Sequence, residues 1–353
     1  MAVPYEALQE QMRLILHAWG MSAANAATTA LVMADTDLHG IDSHGVSMIP
    51  PYEQRRREGR ITLTAEPEVV HETPVALLVD GGGNLGHVPS TFAVKRAIEK
   101  AKAAGMCLAG VRNSAHFGAA GFYTRLAAEA GMIGMAGTSG GLRMAAAFGS
   151  SVPMLSTDPW SFAAPAQDGA APFLLDMATT AAAYGRVRNA ATEGRPIPAD
   201  WGLDKTGHPT TNPHDIVGGG GFLSPLGGQA AGHKGYGLAV MVNILATCMT
   251  GASLVTREGH TLDRPGSPDI GHFFFVIDPG LLRPAAETRA DTGRLLDALR
   301  AAPAVNPDRP VMVAGDPERA KAEIRRREGI PVGPNLLEKV RDIARAANVE
   351  VLI

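Results

Sequence analysis

Beyond Glu66 the chain changes texture: short apolar runs of strand character alternate with longer runs of helical periodicity. That alternation fits a sheet with helices packed on it and little else. Residues 75–79, 106–111 and 132–137 read as strands, with helices over 91–104 and 119–130 between them and further strands over 172–177 and 272–277. Ahead of Glu66 the pattern is helical. Leu8, Met12, Ile15, Leu16 and Trp19 recur at helical spacing up to Gly20, and a second helix starts with Ser22 as N-cap and runs to about Asp35. Pro50-Pro51 start a third helix that ends at Gly59, and helices return over 317–327 and 334–347. The expectation is an α/β (α+β) fold. It comprises a helical unit over 1–70, joined by C-terminal helices over 310–353, and an α/β unit over 71–309. The Gly- and Pro-rich stretch 194–228 is too long for an idle connection and reads as a functional loop folded over a site.

With 353 residues, 45% of them apolar and 19% charged, the composition is that of a soluble globular enzyme, and the net charge is −3. Lys and Arg are scattered except in Arg55-Arg56-Arg57 and Arg325-Arg326-Arg327. Neither run has interleaved aromatics, so both read as solvated helix faces and no nucleic-acid partner is expected. Cys107 and Cys248 fall in apolar stretches without a nearby partner, as buried thiols of a reducing compartment would. Glu6, Glu10 and Arg13 break up any secretory signal. Residues 237–255 carry no charge, but Asn243, Thr247 and Thr250 share one helical stripe, so a buried core helix is the simpler reading. A cytoplasmic protein with no membrane partner is expected.

Several motifs mislead at first sight. Gly81-Gly-Gly83-Asn-Leu-Gly86 follows a strand in the pattern of a dinucleotide-binding turn, yet the next strand is followed by Arg112-Asn113 where an acid should hold ribose hydroxyls. Pro89 also stands where a helix would present its first N–H groups, so the glycines read as a tight, closely packed turn. Gly228 to Lys234 resembles a phosphate loop with its Lys displaced and no following Ser or Thr. What remains, Gly232-His233-Lys234-Gly235, is either an anion-binding turn or a flexible surface lysine. Asp37, His39, Asp42 and His44 have metal-ligand chemistry but not a metalloprotease spacing, and no metal is assigned to them.

Two loop histidines carry the chemistry. His44 lies in Asp42-Ser43-His44-Gly45, and His116 lies between a strand's C-terminal end and a helix start, where ligands gather in α/β proteins. Several segments together then resemble the type-2 malate/L-lactate dehydrogenase family: Asp35-x-x-x-His39-Gly-x-Asp42-Ser-His-Gly45, Ser114-Ala-His-Phe-Gly-Ala-Ala-Gly121, Asp176-Met-Ala-Thr-Thr180 and Gly232-His-Lys-Gly-Tyr-Gly-Leu238. The Tyr52 to Gly59 helix, Ile197-Pro-x-x-Trp201, Gly271-His-Phe and Ala314-Gly-Asp-Pro-Glu318 extend the likeness over nearly the whole chain in order.

The resemblance implies a non-Rossmann, sulfolactate dehydrogenase-like fold that binds NAD or NADP and works as a homodimer with sites near the subunit boundary. The activity implied is hydride transfer between nicotinamide and a small-molecule 2-oxo/2-hydroxy acid or related carbonyl compound. The same family includes reductases of cyclic imino acids, so a C=N substrate stays open. His116 is the expected acid/base, with His44 and Ser43 orienting the carbonyl and Tyr52 lining the pocket. Asp176, Met177, Ala178, Thr179, His233, Lys234, Gly235, Gly315 and Asp316 are implied cofactor contacts. Tyr123 stays open between core and site. Met48 stands where most members carry an Arg for the substrate carboxylate, so Arg143 or Arg186 substitutes, or the substrate carries a bulkier, less acidic group. Asp158 stands where the family usually has Asn. Outside this reading remain a metal-dependent hydrolase or lyase using His39, Asp42, His44 and His116, and a noncatalytic ligand-binding protein.

Overall fold

The computed structural model describes residues 2–255, 266 and 268–353. The chain opens with three helices, α1 (Tyr5–Ala18), α2 (Ala23–Leu38) and α3 (Ile49–Arg57). The Ser22 hydroxyl accepts the Asn25 N–H at 3.3 Å and caps α2, and Gly20 turns the chain ahead of it with φ +105°.

A seven-stranded sheet follows. Its strands are β1 (Glu68–Thr73), β2 (Ala76–Asp80), β3 (Met106–Ser114), β4 (Ile133–Thr138), β5 (Trp160–Ala164), β6 (Phe173–Met177) and β7 (Ile270–Ile277). The spatial order is β1-β2-β3-β7-β4-β5-β6, with β2 and β3 parallel and every other neighbouring pair antiparallel. Helix α4 (His87–Ala104) makes the β2-to-β3 crossover, and α5 (Ala120–Glu129) links β3 to β4. A single parallel pair with a late strand inserted beside it is not a doubly wound nucleotide fold.

The sheet buries both faces. On one side Leu77, Val79, Val111, Phe274 and Val276 pack against Val94, Ala97 and Ala101 of α4 and Tyr123 and Ala127 of α5. On the other, Phe273 packs against Val242 and Ala246. These two belong to α7 (Gly228–Asn243), which comes after α6 (Tyr184–Thr192), and to the π-helical turn Ile244–Cys248 that continues α7.

The chain closes with α8 (Ala285–Arg300), α9 (Asp316–Glu328) and α10 (Pro334–Ala346). The last two return to the N-terminal helices, so that Ala322, Leu337, Val340 and Ala344 share one apolar core with Leu8, Met12, Ile15 and Met33. Strand Ala2–Val3 pairs with Ile330–Pro331 beside it.

Four expectations need correction. The stretch 237–255 is helical only as far as Cys248 and is buried on one side only: Asn243 and Thr250 donate to the carbonyls of Ala239 and Ala246 and so turn inward, while Ile244, Met249 and, beyond the helix, Leu254 are exposed. Cys248 is on that outer side and is an exposed thiol; Cys107 is buried as expected. The stretch 194–228 does not cover the site. Its strands Gly202–Leu203 and Phe222–Leu223 join Ala145–Ala146 and Pro153–Leu155 in a small sheet that buries Leu203, Phe222 and Leu223. Finally, the two arginine runs are not wholly solvated, because Arg325 is buried and Arg55 half-buried. Among the described residues no helix is long and apolar enough to cross a membrane.

Candidate active site

A cleft of about 1700 Å³ is bounded by the loop after α2, the loop after β3, the edge strand β6 and the start of α9. Ser43, His44, Met48, His116, Asp176, Met177, Ala178 and Gly315 all line it.

The His44 loop is clamped from two sides. Asp37, buried near the end of α2, accepts the Val46 N–H at 2.7 Å, and Gly45 packs so closely on this carboxylate that a Cβ there would fall on it. From α9, Arg325 donates to the Asp37 carbonyl and to the Asp42 carboxylate, with its second contact to Asp42 at 3.1 Å. Burial pushes the Asp37 carboxyl up to about 8, against the pull of the Val46 N–H and the Arg325 charge. Within the loop Ser43 Oγ and His44 Nδ1 are 2.7 Å apart. Asp37, His39, Asp42 and His44 thus turn to four different partners, since His39 Nδ1 lies 2.8 Å from the Asp35 carbonyl.

The glycine turn 81–86 carries the His116 loop. The Gly83 and Gly86 amides donate to the carbonyls of Asn113 and His116 at 2.7 and 3.0 Å, and a Cβ on Gly86 would sit against Phe117 and the Ala115 carbonyl. These glycines therefore serve close packing. His116 faces His44 with ring centroids 5.3 Å apart, and its Nδ1 lies 2.6 Å from the Tyr52 hydroxyl. Tyr52 is fully buried and does not line the cleft; its hydroxyl meets the His116 ring.

Two imidazoles that sequence reasoning passed over stand behind. His87 packs edge-on to Tyr52 with centroids 5.8 Å apart and neither ring nitrogen finds a partner among the described residues, while His272 bridges Thr138 and Ser114 at 2.6 and 2.9 Å. Burial holds all four imidazoles neutral: His44 falls to about 4, His87 and His272 to about 3. His116 also lies well below the ordinary histidine range, first through desolvation and then through the nearby charges of His44 and Arg55. Burial likewise raises the Tyr52 phenol, so it keeps its proton. Tyr123 donates to the Phe117 carbonyl from within the core, which places it outside the cleft.

On the opposite wall, Asp176 lies next to the end of β6 and accepts the Gly121 N–H at the start of α5 at 2.7 Å; burial raises its carboxyl to about 6. Thr179 lies behind the wall, bonded to the Thr157 carbonyl at 3.0 Å. Asp158, in the left-handed region with φ +32°, accepts the Gly140 and Ser156 amides at 3.0 and 3.1 Å and is raised by burial to about 6. The Ser139 hydroxyl, in the cleft wall, has no partner among the described residues. Gly315 opens α9 with φ +97°. Asp316 pairs with Arg300 at 2.9 Å and with Arg319, and does not border the cleft.

His233, Lys234 and Gly235 also lie outside the cleft wall, on the first turns of α7. Arg143 is exposed and turned away, its Nε donating to the Val255 carbonyl at 2.8 Å. Arg186 does line the cleft, in a helix whose Gly185 sits beside Ser43.

Comparison with known proteins agrees with this geometry. A family model described as malate/L-lactate dehydrogenase matches residues 3–341. The malate/(S)-sulfolactate dehydrogenase of Methanothermus fervidus is 33% identical over 337 residues, covering 96% of this chain and 95% of that protein. The Δ1-pyrroline-2-carboxylate/Δ1-piperideine-2-carboxylate reductase of Pseudomonas putida is 30% identical over 343 residues, or 97% and 96% of the two chains. The crystal structure of malate dehydrogenase from Entamoeba histolytica superposes with a TM-score of 0.94 at 30% identity over 99% of each chain.

Proposed function

The chain belongs to the malate/L-lactate dehydrogenase family, and on that premise we propose that it is an NAD(P)-dependent oxidoreductase of 2-oxo/2-hydroxy acids with His116 as its acid/base. The observation that carries this reading is the pair of neutral imidazoles, His44 and His116, side by side in the wall of a cleft of about 1700 Å³. The cleft suits such a cofactor: the unpartnered Ser139 hydroxyl, the wall Asp176 to Ala178 and the Gly315 turn offer polar groups and bare backbone along it. A bound nicotinamide supplies or accepts the hydride; the protein's own residues handle the proton.

For oxidation, His116 takes the hydroxyl proton on Nε2 while Nδ1–H donates to the Tyr52 oxygen. The phenol oxygen can accept from Nδ1–H, which leaves Nε2 free for the substrate, and it keeps that bond once the ring is charged. Reduction runs the same transfers backwards. His44, oriented by Ser43, hydrogen-bonds the reacting oxygen from the other side. The helical unit brings His44 and Tyr52, and the α/β unit brings His116 and the cofactor wall.

Proton acceptance needs a neutral imidazole, and His116 is held well below 6.5. In the oxidation direction kcat/KM should therefore keep its plateau to below pH 6.5 on the acid side. A profile whose acid limb falls at or above 6.5 would contradict the assignment. The P. putida relative, named as a reductase of cyclic imino acids, supports a second reading in which the proton goes to nitrogen. An assay of NADH and NADPH oxidation against 2-oxo acids, 2-oxo amides and cyclic imines separates the two, and absence of turnover across the panel would remove both.

A cytoplasmic homodimer completes the proposal, the dimer supported by the exposed apolar side chains of Ile244, Met249 and Leu254. Light scattering should give twice the 36.8 kDa chain mass; a monomer at micromolar concentration counts against it.

A further inference from the structure

The substrate's charge can be read from one arginine. Arg55 lines the cleft from α3, seven residues after Met48 and so on the same helix face two turns along. The acid of that helix, Glu53, is buried and engaged by Arg56 and Arg57 at 2.7 Å each, so it is taken by those two and not by Arg55, which borders the cleft. No carboxylate pairs with Arg55 among the described residues. The other cations of the cleft differ: Arg125 and Arg319 are half-buried but paired to Asp35 and Asp316, while Arg186, Arg188 and Lys321 are exposed to solvent.

A guanidinium withdrawn from water without an acid is costly, and a ligand anion relieves that cost. Its field reaches the chemistry, since its charge acts on both Tyr52 and His116. We propose that the Arg55 guanidinium holds the substrate's carboxylate, so that the site selects 2-oxo, 2-hydroxy or imino acids over their neutral amides and esters. This rests on the hydride-transfer reading of the cleft and names the substrate class within it. The planar fork gives two parallel hydrogen bonds to a carboxylate, which fixes the neighbouring carbonyl between the two imidazoles.

The test is binding, not turnover. Calorimetric titration with oxamate, a planar 2-oxo acid analogue, and with neutral oxamide, each with and without NADH, compares wild type, Arg55→Met, Arg55→Gln and Arg186→Met. Wild type should prefer oxamate; both Arg55 variants should weaken oxamate by about ten- to a hundredfold and leave oxamide unchanged. Arg186→Met should retain the preference. Since no carboxylate among the described residues pairs with Arg55, its variants should melt near the wild-type temperature, and two substitutions guard against one misfolding. A wild type without preference for oxamate, Arg55 variants that keep it, or an Arg186→Met that abolishes it, each overturns the assignment. Failure of the hydride reading is separate: it shows as absent turnover across the substrate panel, whatever oxamate does.

Discussion

His116→Ala is expected to lower turnover by about a hundredfold or more in both directions, with cofactor affinity retained. The variant removes the one imidazole that combines access to the cleft with a bond to a buried phenol. It also leaves the Tyr52 hydroxyl without its partner in the core, so a modest loss of stability should accompany the kinetic loss. The comparison that decides is His44→Ala. The two rings are 5.3 Å apart, and either can reach a carbonyl oxygen between them. Tyr52→Phe separates their roles further, because it removes only the hydroxyl bonded to His116 and keeps the ring: it should leave KM near wild type and shift the pH limb. Near wild-type turnover in His116→Ala, with His44→Ala inactive, would transfer the acid/base role to His44.

The sequence made the layers legible because their signals are local. Helical spacing in α1, the Ser22 cap and the alternation beyond Glu66 each depend on near neighbours, and each is found in place. The insertion of β7 between β3 and β4 was not legible, because a strand from residue 270 onward pairs with strands more than a hundred positions earlier. The glycine turn shows how context decides: its pattern matches a phosphate cradle, and its amides instead hold the His116 loop.

Partnership is what sequence reading most often misplaced. Arg325 looks like one member of a solvated basic run, yet it is buried against Asp37 and Asp42 some 283 positions away from the latter. Arg55 belongs to a similar run and borders the cleft, while Glu53 is taken by its two neighbours. Asp37 resembled a metal ligand and is a loop anchor. A composition rule cannot tell these apart, since it sees residue type and not which partner is already taken. Only the folded positions of Glu53 and Asp42 decide it.

Gly45→Ala gives a second large effect, again roughly a hundredfold in turnover, from a methyl group that touches no substrate. The added carbon would occupy the space of the Asp37 carboxylate, so either that carboxylate leaves the Val46 N–H or the loop moves away from α2. The loop cannot yield evenly, because Arg325 fixes Asp42 at its other end. Strain then concentrates on Ser43 and His44 between the two ties. A shift of about 1 Å there is enough to spoil a proton or hydrogen-bond geometry. The loss should appear in kcat, with a melting temperature lowered by the buried carboxylate's lost N–H. Gly237→Ala is the matched control: that helical position meets nothing within 4 Å, so the same methyl should leave activity intact and stabilise by about 0.5–1 kcal/mol. If Gly45→Ala turns over like the wild type, the Asp37 clamp does not set the position of His44, and the imidazole must be held by Ser43 alone.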